Sequence, residues 1–394
     1  MDGTTEEAKP IYLDYQASTP LDPRALEAML PFYRERFGNP HSAHHAYGRN
    51  AAAAVERARG QVAALIGAEP REIVFTSGAT ESNNLAIKGA ARFLKGRKSH
   101  IVTAPTEHKC VLEACKRLES EGFEVTYLPV EPSGLIDPAR LAEALRAETA
   151  LVSLMAVNNE IGVIQPLAEI GRLCRERGVL FHCDAAQAAG KIPLDVEAMA
   201  IDLLSISGHK LYGPQGIGAL YVRRRPRVRL DPLIDGGGQE RGHRSGTLPL
   251  ALCVGLGEAC AIAAAEMDEE AVRLRALRGE LLESLNARLE GLSVNGDWER
   301  RVPGNLNISF AGLDAEALIE ALPGLAVSTG SACTSASVEP SYVLRALGLS
   351  DERARSSLRI GLGRFTTAQD VSAAADQIVA AVARLRAASA RAAE

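Results

Sequence analysis

The stretch DLLSISGHKLYGPQG occupies residues 202–216 and decides how the rest of the chain is interpreted. Its first half is rich in apolar and β-branched residues, which is typical of a buried strand. Lys210 follows this strand beside His209, and glycine and proline residues then turn the chain. Lysine is usually a surface residue, but ligands of open α/β sheets bind beyond the carboxyl ends of the strands. The position of Lys210 therefore favours contact with a ligand over a purely solvated role.

Strand-like runs of the same kind precede this stretch and alternate with amphipathic, helix-like segments at 107–121, 137–147 and 166–177. The runs are EIVFTSG (72–78), HIVTAP (100–105), EVTYLPV (124–130), ALVSLMAV (150–157) and VLFHCDAAQ (179–187). Alternation of strands and helices predicts an α/β fold with a mostly parallel sheet that is covered on both faces.

The length of 394 residues is too great for one small core and predicts about two domains. A long Ala/Leu/Glu/Arg-rich segment, about 248–288, predicts one long helix or two joined helices. Further strand-like runs and a closing amphipathic helix at about 367–388 follow it. We predict a large domain at 15–260. We also predict a smaller α+β domain built from 1–14 and 261–394.

Composition excludes several kinds of partner. The formal net charge is −5, so no electrostatic case for nucleic acid or an anionic membrane arises. By inspection, no apolar run approaches the roughly 18 residues of a membrane span. The first ten residues, MDGTTEEAKP, are acidic and polar, unlike a signal peptide. We therefore expect a cytoplasmic protein.

The chain contains seven cysteines, and none forms a CxxC pair that would indicate zinc binding or a thioredoxin-like site. Six lie in helix-like or strand-like runs and are predicted to be packing residues. The seventh, Cys333, lies in STGSACTSAS (328–337), a run of small residues that predicts an exposed loop. Because an exposed thiol oxidises easily, its presence there indicates that its reactivity is used.

Polar segments follow five of the predicted strands, and we call them together the polar rim. They are TSGATESNN (76–84), TEHK (106–109), NNEIG (158–162), HCDAAQ (182–187) and SISGHKLYGPQG (205–216). In the first segment Thr80 begins a predicted helix, whose backbone N–H groups could bind a phosphate. A simple helix cap explains that pattern equally well.

The residues of the polar rim together match the needs of pyridoxal phosphate. Lys210 could form a Schiff base with its aldehyde. Asp184 could pair with the ring nitrogen, and His108 could stack on the ring. Hydroxyl and imidazole donors for the phosphate would come from Thr80, Ser207 and His209.

The chain resembles cysteine desulfurases of the iron–sulfur cluster assembly branch, which have the fold type I of pyridoxal-phosphate enzymes and a seven-stranded large-domain sheet. The resemblance runs in order through nearly the whole chain. It is carried by IYLDYQASTP (11–20), SGATESNN, TEHK, VNNEIGVIQP, SGHKLYGPQG, GGGQERGHRSGT, STGSACTSAS and SLRIGLGRFT (357–366).

The resemblance implies a role for each matching residue. Lys210 would hold the cofactor covalently, Gln187 would bind its ring hydroxyl, and His108 would also transfer protons. Thr247 would reach the phosphate of the other subunit, which implies a homodimer. Asn159 and Arg359 would hold the carboxylate of L-cysteine. The full set of implied cofactor-binding residues is Lys210, Asp184, Gln187, His108, Ala79, Thr80, Ser207, His209 and Thr247.

In this family the cysteine that matches Cys333 attacks the sulfur of bound cysteine, releases alanine and keeps the sulfur as a persulfide. A loop at about 328–340 would then carry the sulfur to an acceptor. The acceptor would be an iron–sulfur scaffold protein or the machinery that thiolates tRNA or cofactors. No metal site is implied, although Cys333 could ligate a transferred iron–sulfur cluster. The chain ends soon after its last predicted helix, and a shorter tail would weaken scaffold docking through that tail.

Three alternatives remain open at this point. A selenocysteine lyase would share the fold, but it would not need a persulfide-forming cysteine. An aminotransferase would likewise have no use for the Cys333 loop. A binding protein that had lost catalysis would be colourless, because it would not bind the cofactor.

Overall fold

The computed structural model describes residues 9–329 and 339–392. The chain forms two compact units. We call Ser18–Asn158 with Val163–Asp268 the large unit, and Met1–Ala17, Asn159–Gly162 and Glu269–Glu394 the small unit. The sequence predicts a large domain at 15–260 and a small domain built from 1–14 and 261–394. These domain boundaries stay a prediction. Unlike that prediction, the compact units assign the short segment Asn159–Gly162 to the small unit.

The elements alternate along the large unit, and shorter ones build the small unit. The strands are β1 Ile11–Tyr12, β2 Ile73–Thr76, β3 His100–Thr103, β4 Glu124–Tyr127, β5 Thr149–Met155, β6 Leu180–Asp184, β7 Leu203–Ser207, β8 Gly218–Val222, β9 Leu292–Val294, β10 Asn305–Phe310, β11 Leu325–Ala326 and β12 Ser357–Gly361. The helices are α1 Pro23–Arg34, α2 Ala46–Leu65, α3 Ala79–Leu94, α4 Lys109–Glu119, α5 Pro138–Ala144, α6 Leu167–Glu176, α7 Leu250–Asn286, α8 Ala315–Glu320, α9 Tyr342–Ala346, α10 Asp351–Arg355 and α11 Ala368–Ala392.

The large unit is built on a seven-stranded sheet with the order β2-β8-β7-β6-β5-β3-β4. Strand β8 pairs antiparallel with both of its neighbours, and the pairings among β7, β6, β5, β3 and β4 are parallel. The predicted mostly parallel α/β sheet is confirmed. Strands β5, β7 and β8 are buried at every residue, as expected of a sheet covered on both faces.

The small unit contains a three-stranded antiparallel sheet, β12-β10-β9, and a parallel pair, β1-β11. Helix α11 buries a stripe with helical spacing that includes Val371, Ala375, Ile378 and Val382. This stripe packs in one core with β10 and β12. The predicted α+β character and the closing helix agree with this arrangement.

Helix α7 corrects one expectation from the sequence. An 18-residue window of this helix has a mean hydropathy of 1.7, so by length and composition alone the helix could cross a membrane. Cys253, Leu256, Ala259 and Cys260 lie on one helical face and are fully buried in the protein. The chain therefore does contain an apolar run as long as a membrane span, contrary to the expectation from the sequence. The burial of this helical face in a protein core accounts for the run.

A buried histidine joins three neighbouring strands of the large sheet. His182 on β6 lies with Nδ1 2.8 Å from Ser153 Oγ on β5 and with Nε2 3.0 Å from Ser205 Oγ on β7. Burial lowers the pKa of His182 to about 3. The ring is therefore neutral at physiological pH and satisfies both serines without a buried charge.

We expect His182 to make the protein sensitive to acid. Between pH 6.5 and about 3, the unfolded chain binds a proton that the folded protein excludes, so stability falls as the pH is lowered. The shift corresponds to roughly 5 kcal/mol of unfolding free energy at most. Urea unfolding between pH 7 and pH 4 should show a shallower pH dependence for His182→Gln than for the native chain. His41→Gln, at an exposed position, is the control, and an unchanged slope in His182→Gln would contradict the assignment.

Candidate active site

Polar residues of the predicted rim lie at the carboxyl ends of the parallel strands β6 and β7 in the large unit. Asp184 is the last residue of β6, and Ser207 is the last residue of β7. Lys210 ends a single 3₁₀ turn, Gly208–Lys210, that follows β7 directly. The lysine and the aspartate therefore leave the same edge of the sheet from adjacent strands.

The lysine turn is held by a residue from the beginning of the large unit. Thr19 Oγ1 donates to the carbonyl of His209 at 3.0 Å and accepts from the backbone N–H of Tyr212 at 2.8 Å. Gly208 is required inside the turn, since a Cβ there would lie 2.6 Å from the carbonyl oxygen of Pro214. These contacts fix the backbone on both sides of Lys210. No local sequence pattern marks Thr19 for this role, because it lies 190 residues from His209.

The start of α3 is suited to a phosphate. Gly78 precedes the helix with φ +148°, and it supplies no side-chain cap to the first turn. Ser207 Oγ lies 4.0 Å from the place where a Cβ on Gly78 would be. The helix closely approaches the sheet because Gly218 has no side chain; a Cβ there would be 2.6 Å from Gly78 Cα. Uncapped N–H groups beside a hydroxyl are the donors that a phosphate needs.

Thr80 and His209 supply further groups near these elements. Thr80 lies in the first turn of α3, and His209 is in the lysine turn. Burial, with smaller effects of Lys210 and Lys191, lowers the pKa of His209 to about 4. The imidazole is therefore neutral at physiological pH and can donate one N–H.

Asp184 is oriented through both of its carboxylate oxygens. Oδ1 accepts from the backbone N–H of Ala186 at 3.0 Å, and Oδ2 accepts from Asn83 Nδ2 at 2.6 Å. These two hydrogen bonds fix the orientation of the carboxylate. Gln187 follows in the same segment, where its Oε1 accepts from Lys191 Nζ at 3.0 Å. This contact distinguishes the amide oxygen of Gln187 from its amide nitrogen and so fixes the orientation of the amide.

His108 is the N-cap of α4. Its ring Nδ1 accepts from the backbone N–H of Cys110 at 3.2 Å and lies 3.0 Å from Cys110 Sγ. Cys110 Sγ also accepts from Asn83 Nδ2 at 3.1 Å. Cys110 packs against the apolar core of the large unit, as predicted, and its partly buried thiol also contacts two polar side chains.

Five other cysteines are buried, as predicted. Burial raises the pKa of Cys183 well above its ordinary value. It raises the pKa of four more thiols to about 12: Cys115, Cys174, Cys253 and Cys260. These thiols are protonated at physiological pH and are poor nucleophiles. Cys333 lies outside the described residues.

A buried carboxyl lies next to His108. Glu107 is only 1% exposed, and its Oε1 accepts from the backbone N–H of Met155 at 2.8 Å. Burial, and to a smaller extent the charge of Asp184, raises the pKa of Glu107 well above its ordinary value. Local sequence patterns do not single out Glu107, because only the folded chain packs β5 against it.

The small unit brings together the two predicted substrate residues. Arg359 on β12 is buried, and its Nη1 donates to the carbonyl oxygen of Asn159 at 2.9 Å. Its Nη2 forms an ion pair with Asp14 Oδ1 at 2.7 Å. Asn159 Oδ1 is buried and has no hydrogen-bond partner within the described ranges, as expected of a group that awaits a ligand.

Two contacts of the small unit flank the segment that contains Cys333. The backbone N–H of Arg359 donates to the carbonyl oxygen of Ser328 at 2.6 Å. On the other side, the Ser341 hydroxyl donates to the buried Glu160 carboxylate, next to Asn159. The chain therefore enters and leaves 329–340 beside the residues predicted to bind substrate.

Thr247, another predicted phosphate ligand, is exposed. No hydrogen bond between described residues joins it to Thr80, Ser207 or His209. It lines a groove of about 450 Å³ with Tyr33 and Phe37. Arg244, three residues earlier, donates to Glu81 Oε1 in the first turn of α3 at 2.9 Å.

Comparison with known proteins identifies the family of the chain. Residues 11–374 match the family model described as aminotransferase class-V. The chain is 59% identical over 377 residues to cysteine desulfurase IscS of Rickettsia bellii, an alignment that covers 96% of this chain and 92% of the relative. It is 59% identical over 378 residues to the cysteine desulfurase of Homo sapiens, with 96% and 83% covered.

Solved structures show the same likeness. A NifS-like protein superimposes with a TM-score of 0.89 at 38% identity, covering 95% of this chain and 99% of that structure. A structure described as SspA in complex with cysteine gives a TM-score of 0.81 at 44% identity, covering 90% and 99%. The chain belongs to the aminotransferase class-V family and, within it, to the cysteine desulfurases.

Proposed function

We propose that the chain binds pyridoxal 5′-phosphate at the polar rim of the large unit and uses it to convert L-cysteine to L-alanine. The observation that carries this proposal is the placement of Lys210 and Asp184 at the ends of adjacent parallel strands. Lys210 can bind an aldehyde covalently, and Asp184 can keep a ring nitrogen protonated.

The donor set fits the cofactor. The uncapped start of α3, with Ala79 and Thr80, would hold the phosphate together with Ser207 and His209. Gln187 would donate its amide N–H to the ring hydroxyl oxygen, because its Oε1 already accepts from Lys191. When bound, pyridoxal phosphate withdraws electrons from the α-carbon of an attached amino acid, which allows bonds near that carbon to break.

The protein groups around the ring would orient it and move protons. His108 would stack on the ring, with its orientation fixed by its role as the cap of α4. Asp184 would pair with the ring nitrogen, and two hydrogen bonds hold its carboxylate in a fixed orientation.

L-cysteine is the substrate that best fits the small-unit residues and the relatives. Arg359 and Asn159 would bind its carboxylate, and a guanidinium suits that task through its planar fork. The solved relative whose description names a complex with cysteine supports the same choice.

Cys333 would take the sulfur. Its thiolate would attack the sulfur of bound L-cysteine, the carbon–sulfur bond would break, and a proton would complete L-alanine. The sulfur would remain as a persulfide on Cys333 until a second thiol or a scaffold protein accepts it. Relatives named IscS support iron–sulfur cluster assembly as the destination, with thiolation of tRNA or cofactors as a further use. The charge of −5 favours no nucleic acid or membrane partner, and we place the protein in the cytoplasm.

We propose a homodimer in which Thr247 serves the phosphate site of the partner subunit. Thr247 is exposed beside Tyr33 and Phe37, which are 59% and 67% exposed. The Phe37 ring stacks on Tyr47, another exposed aromatic residue, at 5.6 Å. An apolar patch of this kind is typical of a subunit interface. Sedimentation of the holoenzyme should give about twice the mass of one chain, and a monomer would refute the proposal.

The function is tested by incubating the holoenzyme with L-cysteine and a thiol reductant, and by measuring alanine and sulfide. We expect the two products in equal amounts and a protein with a visible cofactor absorbance. Equal turnover of L-cysteine and L-selenocysteine without a need for Cys333 would favour a lyase. A colourless protein without activity would favour a binding protein and refute the proposal.

A further inference from the structure

We propose that Asn83 and Cys110 are positioning residues that fix the two side chains flanking the cofactor ring. Asn83 holds the Asp184 carboxylate, and Cys110 holds His108 in the tautomer that carries its proton on Nε2. This inference deepens the proposed function and rests on it, because it takes Asp184 and His108 as the ring-contacting residues.

The first step concerns the orientation of the Asn83 amide. Asn83 is fully buried on α3, and its Nδ2 lies 2.6 Å from Asp184 Oδ2 and 3.1 Å from Cys110 Sγ. An ionised carboxylate can only accept, so the amide nitrogen must face Asp184. Both N–H groups are thereby used, one on the carboxylate and one on the sulfur.

The amide oxygen of Asn83 indicates that this orientation serves more than the stability of the fold. Asn83 Oδ1 is buried, and the described part of the chain offers it no hydrogen-bond partner. Such a group destabilises the folded chain. A buried polar group without a partner needs an explanation, and a role at a functional site is one. Here the two donors of Asn83 point to the residues expected around the ring.

The second step concerns Cys110. Its sulfur accepts from Asn83, so its own S–H can point toward His108 Nδ1 at 3.0 Å. The backbone N–H of Cys110 donates to the same nitrogen at 3.2 Å. Two donors on one ring nitrogen require that nitrogen to be unprotonated.

The proton of neutral His108 therefore lies on Nε2. The ring can release a proton from Nε2, and it can take a proton on Nδ1 only by giving up the cap of α4. A directional chain thus runs from Cys110 to His108 and from Asn83 to both Cys110 and Asp184. It links the residue that would stack on the ring to the residue that would hold the ring nitrogen.

The tautomer is tested by NMR of the holoenzyme with ¹⁵N-labelled histidine, with the His108 signals assigned through the His108→Gln variant. We expect a pyridine-like Nδ1 and a pyrrole-like Nε2 for His108. A protonated Nδ1 in the native holoenzyme would overturn the proposal. Cys110→Ala keeps the backbone donor to Nδ1 and loses the thiol donor, so the Nδ1 signal should shift from its native value. Cys110→Ser, whose hydroxyl also donates and accepts, should restore the native signal.

The role of Asn83 is tested by titrating apoprotein with pyridoxal phosphate and measuring its dissociation constant. Asn83→Ala should weaken binding about tenfold, as expected for the loss of one hydrogen bond to a charged acceptor. Asn83→Leu keeps the approximate volume of the side chain and removes both donors, so it provides the test if Asn83→Ala does not fold. Native affinity in a folded Asn83 variant would refute the positioning role.

Cys115→Ala is the matched control. Cys115 is a buried thiol on the same helix, and none of the hydrogen bonds between described residues involves its side chain. We expect native histidine signals and native cofactor affinity in this variant. A native protein that failed to bind the cofactor at all would refute the proposed function instead, so the two failures are distinguishable.

Discussion

Replacement of Cys333 by alanine is expected to lower sulfide release from L-cysteine by at least about a thousandfold, the scale seen when a catalytic nucleophile is removed. The cofactor should remain bound, because none of the groups assigned to it lies in 328–340. The reason is chemical. Five of the six described thiols are buried and have raised pKa values, so they are poor nucleophiles. The sixth, Cys110, has its sulfur engaged by Asn83 and His108. Sulfide and alanine are measured in parallel, together with the visible absorbance of the cofactor.

Cys174→Ala provides the control for this prediction. Cys174 is buried on α6, and burial raises the pKa of its thiol to about 12. The variant should turn over L-cysteine at the native rate. If Cys333→Ala also kept the native rate, sulfur would leave by elimination without a persulfide, and the selenocysteine lyase alternative would be preferred.

Replacement of Lys210 by alanine should remove the covalent attachment of the cofactor and lower activity by at least about a thousandfold. Reduction of the native holoenzyme with borohydride should fix the cofactor to the peptide that contains Lys210. The same treatment should leave Lys210→Ala unlabelled in mass spectrometry. Thr19 holds the backbone of the turn independently of the lysine side chain, so the variant should fold.

Lys210→Arg separates charge from covalent chemistry. Arginine keeps the positive charge but does not form the Schiff base, so this variant should be as inactive as Lys210→Ala. Lys116→Ala, an exposed change on α4, should behave as the native chain. A cofactor fixed to another lysine in the native protein would show that the catalytic lysine is wrongly assigned.

The sequence predicts the fold well because strands and their polar ends are local signals. Five of the apolar runs stop where polar side chains begin, and parallel strands bring such ends together on one edge of a sheet. Local patterns in the sequence are therefore enough to single out Lys210 and Asp184. Their placement on adjacent strands follows from the strand order, which local patterns do not encode.

The contacts that support the site could not be predicted in the same way. Asn83 lies 101 residues from Asp184 and 27 residues from Cys110. Its use depends on how closely α3 approaches the sheet and on the start of α4, which only tertiary packing determines. The burial of Glu107 depends likewise on packing against β5. The polar contacts of Cys110 could not be predicted either, because a cysteine in a helical run indicates only a core residue.

The hydrogen bonds of Thr19 have a consequence for the order of events during synthesis. The Thr19 hydroxyl cannot form its two hydrogen bonds until the residues 190 and 193 positions later in the chain have been synthesised. At roughly 5–20 residues per second, the ribosome needs about ten to forty seconds to supply them. The lysine turn cannot reach its final form earlier, so cofactor capture is a late event that marks a nascent chain whose two distant segments have met.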